Sequence, residues 1–442
     1  MKIELSEHFT YGKLLRFSAP SIFMMIFTSI YWIVDGLFIA NFAGVTSFAA
    51  INLVWPFVMI FSSVGFMLGT GGSALIAKTM GEGKILRANQ LFSMLVLVTA
   101  FVGLLASVTS TLLFRPTLQF LGINGNLLSE CLSYGKILMP AIALSMLQVI
   151  FQPLFVAAER PKFSFFLTFT VGMTNIVLDA LLIIYFKMGV SGAATATALS
   201  WGIGTLVPVV YFALPNGTKF KFCKTYFDGR AMLKICTNGM SEFMSVVSQS
   251  VVSALYNYQM LKFAGEIGIS AYGIIAYVSF IFIAVFLGYS LGVAPIMSYH
   301  FGAENKNELK NLFHKNLMII AVASVILTIG AEIFALPLTM IFMSDNLVLL
   351  DMTVTGFRIF AISFLFSGFS IYASSMFTAL NNGIVSATIS CCRTLLFECA
   401  CVMIMPLLFG IIGIWTAIIV AEIMALLLSI VFFAKLRPRY GY

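Results

Sequence analysis

Between Lys162 and Lys187 the chain runs for twenty-four residues with a single charged side chain, Asp179. At ~1.5 Å per helical residue this run spans about 36 Å, enough to cross a ~30 Å hydrocarbon core. Comparable runs recur along the chain, near 14–41, 48–77, 88–114, 127–158, 163–186, 190–213, 232–262, 269–299, 311–337, 347–380, 384–409 and 412–434. Helix is the only open structure that satisfies every backbone polar group inside lipid. A barrel would alternate apolar and polar residues over about ten positions, and these runs do not. With 60% hydrophobic and 10% charged residues, and a mean hydropathy of +1.03, a water-soluble fold of this size could not cover its apolar surface. The sequence predicts an all-α polytopic membrane protein with twelve transmembrane helices.

The chain also repeats itself at an offset of 221 residues. That offset carries Phe42-Ala43-Gly44 onto Phe263-Ala264-Gly265, Gly81 onto Gly302, and Leu91-Phe92 onto Leu312-Phe313. It carries Gly135 onto Gly356, Gly189 onto Gly410, and Thr195-Ala196 onto Thr416-Ala417. Each half holds six runs, an even number, so both halves enter the membrane from the same side. The expected architecture is two parallel six-helix lobes, 1–215 and 231–442, joined by a polar linker at 216–230. The repeat axis then lies along the membrane normal. With the N-terminus placed in the cytoplasm, nineteen of the 25 basic residues fall on the cytoplasmic side and five outside, with Arg393 inside a run. The positive-inside rule therefore puts both termini and the linker in the cytoplasm.

Polar residues inside such runs are the candidates for function, because they are expensive there. Asp179 lies about 12 Å in from Lys187, Asp35 about 13 Å in from Gly44, and Thr197 about 12 Å in from Gly189. Asn175 is one turn from Asp179 on the same face. Asp35, Asp179 and Thr197 reach one level and Asn175 lies one turn deeper; two carboxylates, an amide and a hydroxyl so placed suit either protons or an oxygen-coordinated Na⁺. The competing reading is that the two acids pin neighbouring helices. The second half does not copy the set, since Asp35 maps onto Tyr256 and Asp179 onto Ala400. It carries Glu242, Glu398, Glu422 and Arg393 instead; Arg393 is expected to pair with one of the last two acids. Tyr31, Tyr134, Gln152 and Glu242 are candidate linings of a cavity for amphipathic cations. Pro20 is expected to bend the first helix. Gly69, Gly71 and Gly72, with Gly288, Gly292 and Pro295, fit either hinges or close helix packing.

Other chemistries find little support. Cys391, Cys392, Cys399 and Cys401 share one apolar run with no histidine near, so no structural metal site is expected. Gly81-Glu82-Gly83-Lys84 lacks the P-loop spacing and follows no strand, which excludes ATP at that position. The net charge of +8 reflects cytoplasmic loops and is no nucleic-acid signal. The first run is long, contains Asp35 and follows Glu4 and Glu7, unlike a cleavable signal peptide.

Over its whole length the chain resembles the multidrug and toxin extrusion (MATE) antiporters. The residues that carry the resemblance are Pro20 with Asp35, the stretch Asn175 to Asp179, and Thr197 after Lys187-Met188-Gly189-Val190; the Gly81 loop fits as well. The resemblance implies roles in binding the coupling cation, H⁺ or Na⁺, for Asp35, Asn175, Asp179 and Thr197, and a bending role for Pro20. It implies alternating-access efflux of organic cations or amphipathic drugs by a monomer in the plasma membrane, with lipid as its surroundings and no cofactor. The family's other branch has carboxylates in its seventh and tenth helices. Here the tenth run has none in its interior and Glu242 sits early in the seventh, so that site is not carried over. A lipid-linked saccharide flippase of related fold is the main alternative, and a membrane-embedded enzyme a weaker one.

Overall fold

The structure is a computed structural model that describes residues 3–42, 45–215, 217–341 and 347–442. Ala43 and Gly44 of the repeat, and Asn216 at the start of the linker, lie outside the described residues. Twelve α-helices follow in order: α1 (Tyr11–Phe42), α2 (Val45–Gly81), α3 (Ile85–Phe120), α4 (Gly125–Ala157), α5 (Pro161–Asp179), α6 (Gly189–Ala213), α7 (Gly229–Gly302), α8 (Lys306–Met340), α9 (Leu347–Ala361), α10 (Phe364–Ala379), α11 (Gly383–Cys391) and α12 (Cys399–Tyr440). π-helical turns extend α5 over Ala180–Tyr185 and join α11 to α12 over Cys392–Glu398.

Among the described residues these elements make twelve crossings: α7 makes two, α9 and α10 together make one, and α11 with α12 makes two. α7 has 74 residues, about 110 Å of helix, and Gly265 breaks it with φ +64°. The stretch Gly383–Tyr440 is broken likewise at Gly410, φ +60°. α9 and α10 meet at a 52° bend and form one crossing. The breaks fall between the predicted runs 232–262 and 269–299, and between 384–409 and 412–434. An L side chain rarely adopts that backbone, so glycine is the residue that permits both reversals. α7 starts at Gly229, one residue before the predicted end of the linker, where Asp228 caps it by accepting from the Arg230 and Ala231 N–H groups.

The repeat is visible in the backbone. Gly83 and Glu304, 221 residues apart, both have positive φ, as do Gly189 and Gly410. Buried apolar side chains form three clusters. Two draw almost wholly on residues before 216; the third draws mainly on residues after 250, with Leu5, Phe9, Leu14, Phe17 and Val156 added.

On the side that holds both termini the two halves pack at backbone distance. A Cβ on Gly71 would lie 2.0 Å from Ile235 O, one on Gly239 1.8 Å from Met67 O, and one on Gly288 2.5 Å from Ile22 Cα. α2 runs unbroken through Gly69, Gly71 and Gly72, and the second arm of α7 through Gly288, Gly292 and Pro295. These glycines therefore act as points of close approach. The first residues strap the same side shut. Leu5 N–H donates to Glu159 Oε1 (3.1 Å) in one half, and Phe9 N–H to Glu308 Oε1 (2.9 Å) in the other. His8 Nδ1 meets Glu308 Oε2 at 2.6 Å, and Lys315 Nζ donates to Phe9 O at 2.7 Å.

Candidate functional site

α5 lies against α1 because Gly172 lets it; a Cβ there would sit 2.6 Å from the Phe27 ring and 3.5 Å from Tyr31. That approach brings Asp179 beside Asp35. Asp179 is 1% exposed, and no donor among the described residues faces its carboxyl oxygens except the Asp35 carboxyl, which can donate only when it holds a proton. Asp35 is half-buried, with its Oδ1 buried and facing no other donor among them. The two carboxyl groups lie in electrostatic reach of each other, and Tyr31 and Tyr134 lie in reach of both. Tyr134 is buried on α4 and Tyr31 half-buried on α1.

α6 supplies the remaining side. Asn175 is fully buried and donates through Nδ2 to Thr197 Oγ1 at 3.4 Å. Its Oδ1 has no partner among the described residues. Four buried oxygens, one from Asp35, two from Asp179 and one from Asn175, are thus left with unused acceptor capacity between α1, α5 and α6. In lipid such groups are costly unless something binds them.

The chain changes hydrogen-bond pattern directly after Asp179. The π turn Ala180–Tyr185 carries the run on to Gly189, whose φ of +56° starts α6. A Cβ on Gly192 would lie 3.1 Å from Leu182 Cβ, so this glycine seats α6 against the π turn. π turns are rare and concentrate at functional positions. Neither this turn nor the role of Gly172 has a signature that a single sequence reveals.

Four predicted cation residues and two of the predicted cavity residues therefore converge. Gln152 and Glu242 do not join them. Gln152 is half-buried on α4, its backbone carbonyl accepting from Ser164 Oγ at 3.2 Å. Glu242 is half-buried in the first arm of α7, four residues after Asn238, which donates to Asn381 Oδ1 at 2.7 Å on the terminus side. Pro20 lies inside α1, which continues past it. In the other half Arg393 pairs with Glu422, Nε to Oε1 at 2.8 Å and an Nη to Oε1 at 2.6 Å; Ser370 Oγ donates to Glu422 Oε2 at 2.9 Å. No group of three or more His, Cys, Asp or Glu residues suited to a metal ion occurs among the described residues.

A family model described as MatE matches the chain twice, over residues 20–181 and again over 243–404. The multidrug export protein MepA of Staphylococcus haemolyticus (strain JCSC1435) is 25% identical over 445 residues, covering 98% of this chain and 95% of the relative. MepA of Staphylococcus aureus (strain MRSA252) is 24% identical over 438 residues, covering 96% and 94%. Among solved structures, a MATE protein in complex with MaL6 superposes with a TM-score of 0.92 at 20% identity, covering 98% of this chain and 97% of the other. An outward-facing multidrug resistance MATE family transporter of the MOP superfamily gives 0.91 at 20% identity, with coverage of 98% and 97%. These superpositions show a shared fold.

Proposed function

The chain belongs to the MatE family and is a multi-pass membrane transporter for multidrug efflux, not an enzyme, and on that footing we propose that Asp35, Asn175, Asp179 and Thr197 bind the cation that drives it. The observation that carries this reading is the set of four buried oxygens with unused acceptor capacity between α1, α5 and α6. They present hard donors to a small cation or accept protons directly. The coupling ion is H⁺ or Na⁺. The cargo is a small organic cation or amphipathic drug, held in a cleft between lobes 1–215 and 231–442, with Tyr31 and Tyr134 on its wall and Gln152 and Glu242 nearer the terminus side. The acidity of the site favours cationic cargo over an anionic lipid-linked saccharide.

In this reading both termini and the linker face the cytoplasm of a cell-membrane protein, as the excess of basic residues on that side supports. The chain works as a monomer surrounded by lipid. The glycine crossings and the N-terminal strap then form the closed cytoplasmic side, and Pro20 supplies the bend by which α1 rearranges as the site changes exposure.

The deciding experiment is transport by purified protein in liposomes, with a pH gradient and a Na⁺ gradient imposed separately. One gradient should drive uphill movement of an organic cation, and Asp179→Asn should end it. Equal transport under both conditions and in the Asp179→Asn variant would reduce the two acids to helix-pinning groups.

A further inference from the structure

In the second half, Glu398 is a buried acid that the Arg393–Glu422 pair leaves uncompensated. Glu398 is 7% exposed and ends the π turn Cys392–Glu398. Asp179 immediately precedes the other π turn. The repeat offset places the counterpart of Asp179 at Ala400, two residues from Glu398, and the counterpart of Asp35 at Tyr256. Each half thus sets one buried acid against a π turn in its fifth crossing.

The groups that face Glu398 can be counted. The π turn offers Arg393; α12 offers Glu422, Cys399 and Cys401; α7 offers Tyr256 and Tyr272. The Arg393 guanidinium is already taken, with both of its contacts on Glu422 Oε1, and Glu422 is 2% exposed. Neutral tyrosines and thiols add no charge. Two carboxylates against one guanidinium leave one negative charge in the membrane interior. Beside it Tyr256, 1% exposed and stacked on Tyr272 at 4.5 Å, has a hydroxyl with no partner among the described residues. Gln259 Oε1, one turn further on and buried, is also unpartnered.

We propose that Glu398 is a proton-binding site of the C-terminal half, separate from the Asp35–Asp179 site, and that the proton it takes up neutralises the Arg393–Glu422–Glu398 cluster. The proton adds to a Glu398 carboxylate oxygen as O–H, and no other bond changes. Removing either acid from the cluster restores balance, by two different routes. Glu398→Gln deletes the proton-binding group. Glu422→Gln leaves one guanidinium to one carboxylate, so Arg393 turns to Glu398 and keeps it ionised.

The test is infrared spectroscopy of the full-length protein in lipid nanodiscs, titrated over pH, following the carboxylic-acid C=O stretch. The expected result is one band present in the native protein and lost in both Glu398→Gln and Glu422→Gln, but kept in Asp179→Asn. A band that survives in either glutamate variant overturns the proposal. So does a native spectrum in which Glu398 is seen only as carboxylate, the result expected if Na⁺ or a bound organic cation balances the charge. Should Glu398→Gln fail to fold, the Glu422→Gln spectrum alone decides.

Discussion

Gly81 and Gly302 meet where α2 crosses the second arm of α7, each against the backbone of the other's helix. A Cβ on Gly81 would lie 2.0 Å from Tyr299 O, and one on Gly302 would lie 2.0 Å from Lys78 O. Lys78 and Tyr299 are themselves 221 residues apart, so the contact is symmetric across the repeat. Neither carbonyl can retreat without moving its helix. Gly81→Val or Gly302→Val should therefore push the terminus side open. Spin labels at positions 84 and 310 should move apart by several ångströms, of the order of one added side-chain layer in helix packing, and drug efflux should fall. Gly330→Ala is the control, since nothing lies within 4 Å of its Cβ position. It should leave efflux unchanged and raise stability slightly, by up to ~1 kcal/mol. Unchanged label distances in both valine variants would show that this crossing does not hold the closed state.

Asp35→Asn and Asp179→Asn keep the shape of each side chain and remove its ionisable group. Both should abolish efflux while the protein reaches the membrane in normal amount. Thr197→Val leaves Asn175 Nδ2 without its 3.4 Å partner and should weaken ion coupling without abolishing it. Drug resistance in growing cells, normalised to membrane protein level, is the measurement. Full resistance from a well-expressed Asp179→Asn variant would return the site to a packing role.

The Arg393–Glu422 pair makes a stability prediction with an internal comparison. Arg393→Met leaves Glu422, 2% exposed, facing Glu398 with no cation between them. Breaking a buried pair from one side costs about 3 to 5 kcal/mol. Glu422→Gln should cost less, because Arg393 keeps Glu398 in reach. The order of thermal unfolding midpoints in detergent checks this. If the two variants unfold alike, Arg393 does not turn to Glu398 when Glu422 loses its charge.

At the linker the relevant titration is that of Asp228, which lies outside the membrane spans. The N–H group of Ala231 is the strongest influence on its carboxyl. Together with the Arg87 guanidinium and the Arg230 N–H it outweighs the opposing effect of desolvation, and the carboxyl is held below its ordinary range. A lowered acid stabilises the fold fully above its unfolded pKa, about 3.9, and loses that contribution as pH falls through its folded value. Amide exchange at residues 217–231, corrected for intrinsic rates, should thus accelerate below about pH 4. Asp228→Asn keeps a capping oxygen and discards the ion pair with Arg87. Its exchange should be faster than native at neutral pH and nearly flat in this window. A native profile without the acid step would mean the linker is held by other contacts, such as Thr225 Oγ1 to Gln90 O.

Much of this molecule was legible because lipid leaves the chain few choices. Apolar runs fixed the crossings, and Gly265 and Gly410 ended two of them where only glycine tolerates the backbone. Asp35, Asn175, Asp179 and Thr197 stood out because a polar group in such a run is costly. Their convergence followed from depth alone, since helices of known rise place residues at computable levels. Other features have no such rule. The π turns depend on a local shift in hydrogen bonding that many apolar sequences permit equally. Gly172 and Gly192 differ from packing glycines elsewhere only in what lies opposite them. The strap of residues 4–9 reads as an ordinary polar start, and its role comes from Glu159 and Glu308, both far away in sequence. Gln152 is singled out by residue type alone, and Glu242, eight residues past Lys234, belongs to the inner half, apart from the other six.

The number of charges moved per cycle follows from how many acids carry an ion. Exchange of one proton for one monovalent organic cation moves no net charge, so membrane voltage drops out. About 1.4 kcal/mol per pH unit then remains, a tenfold drug gradient. If Asp35 and Asp179 each deliver a proton, the pH contribution doubles to about 2.8 kcal/mol per unit. One net charge also enters, and 100 mV adds about 2.3 kcal/mol. The two acids lie in electrostatic reach at one level, which favours the two-ion cycle. An inside-negative potential alone should then drive efflux of a monovalent cation from right-side-out vesicles, and its collapse by an ionophore should stop that flux. Efflux that responds to a pH or Na⁺ gradient but ignores the potential would make the cycle electroneutral and leave one of the two acids without a carrier role.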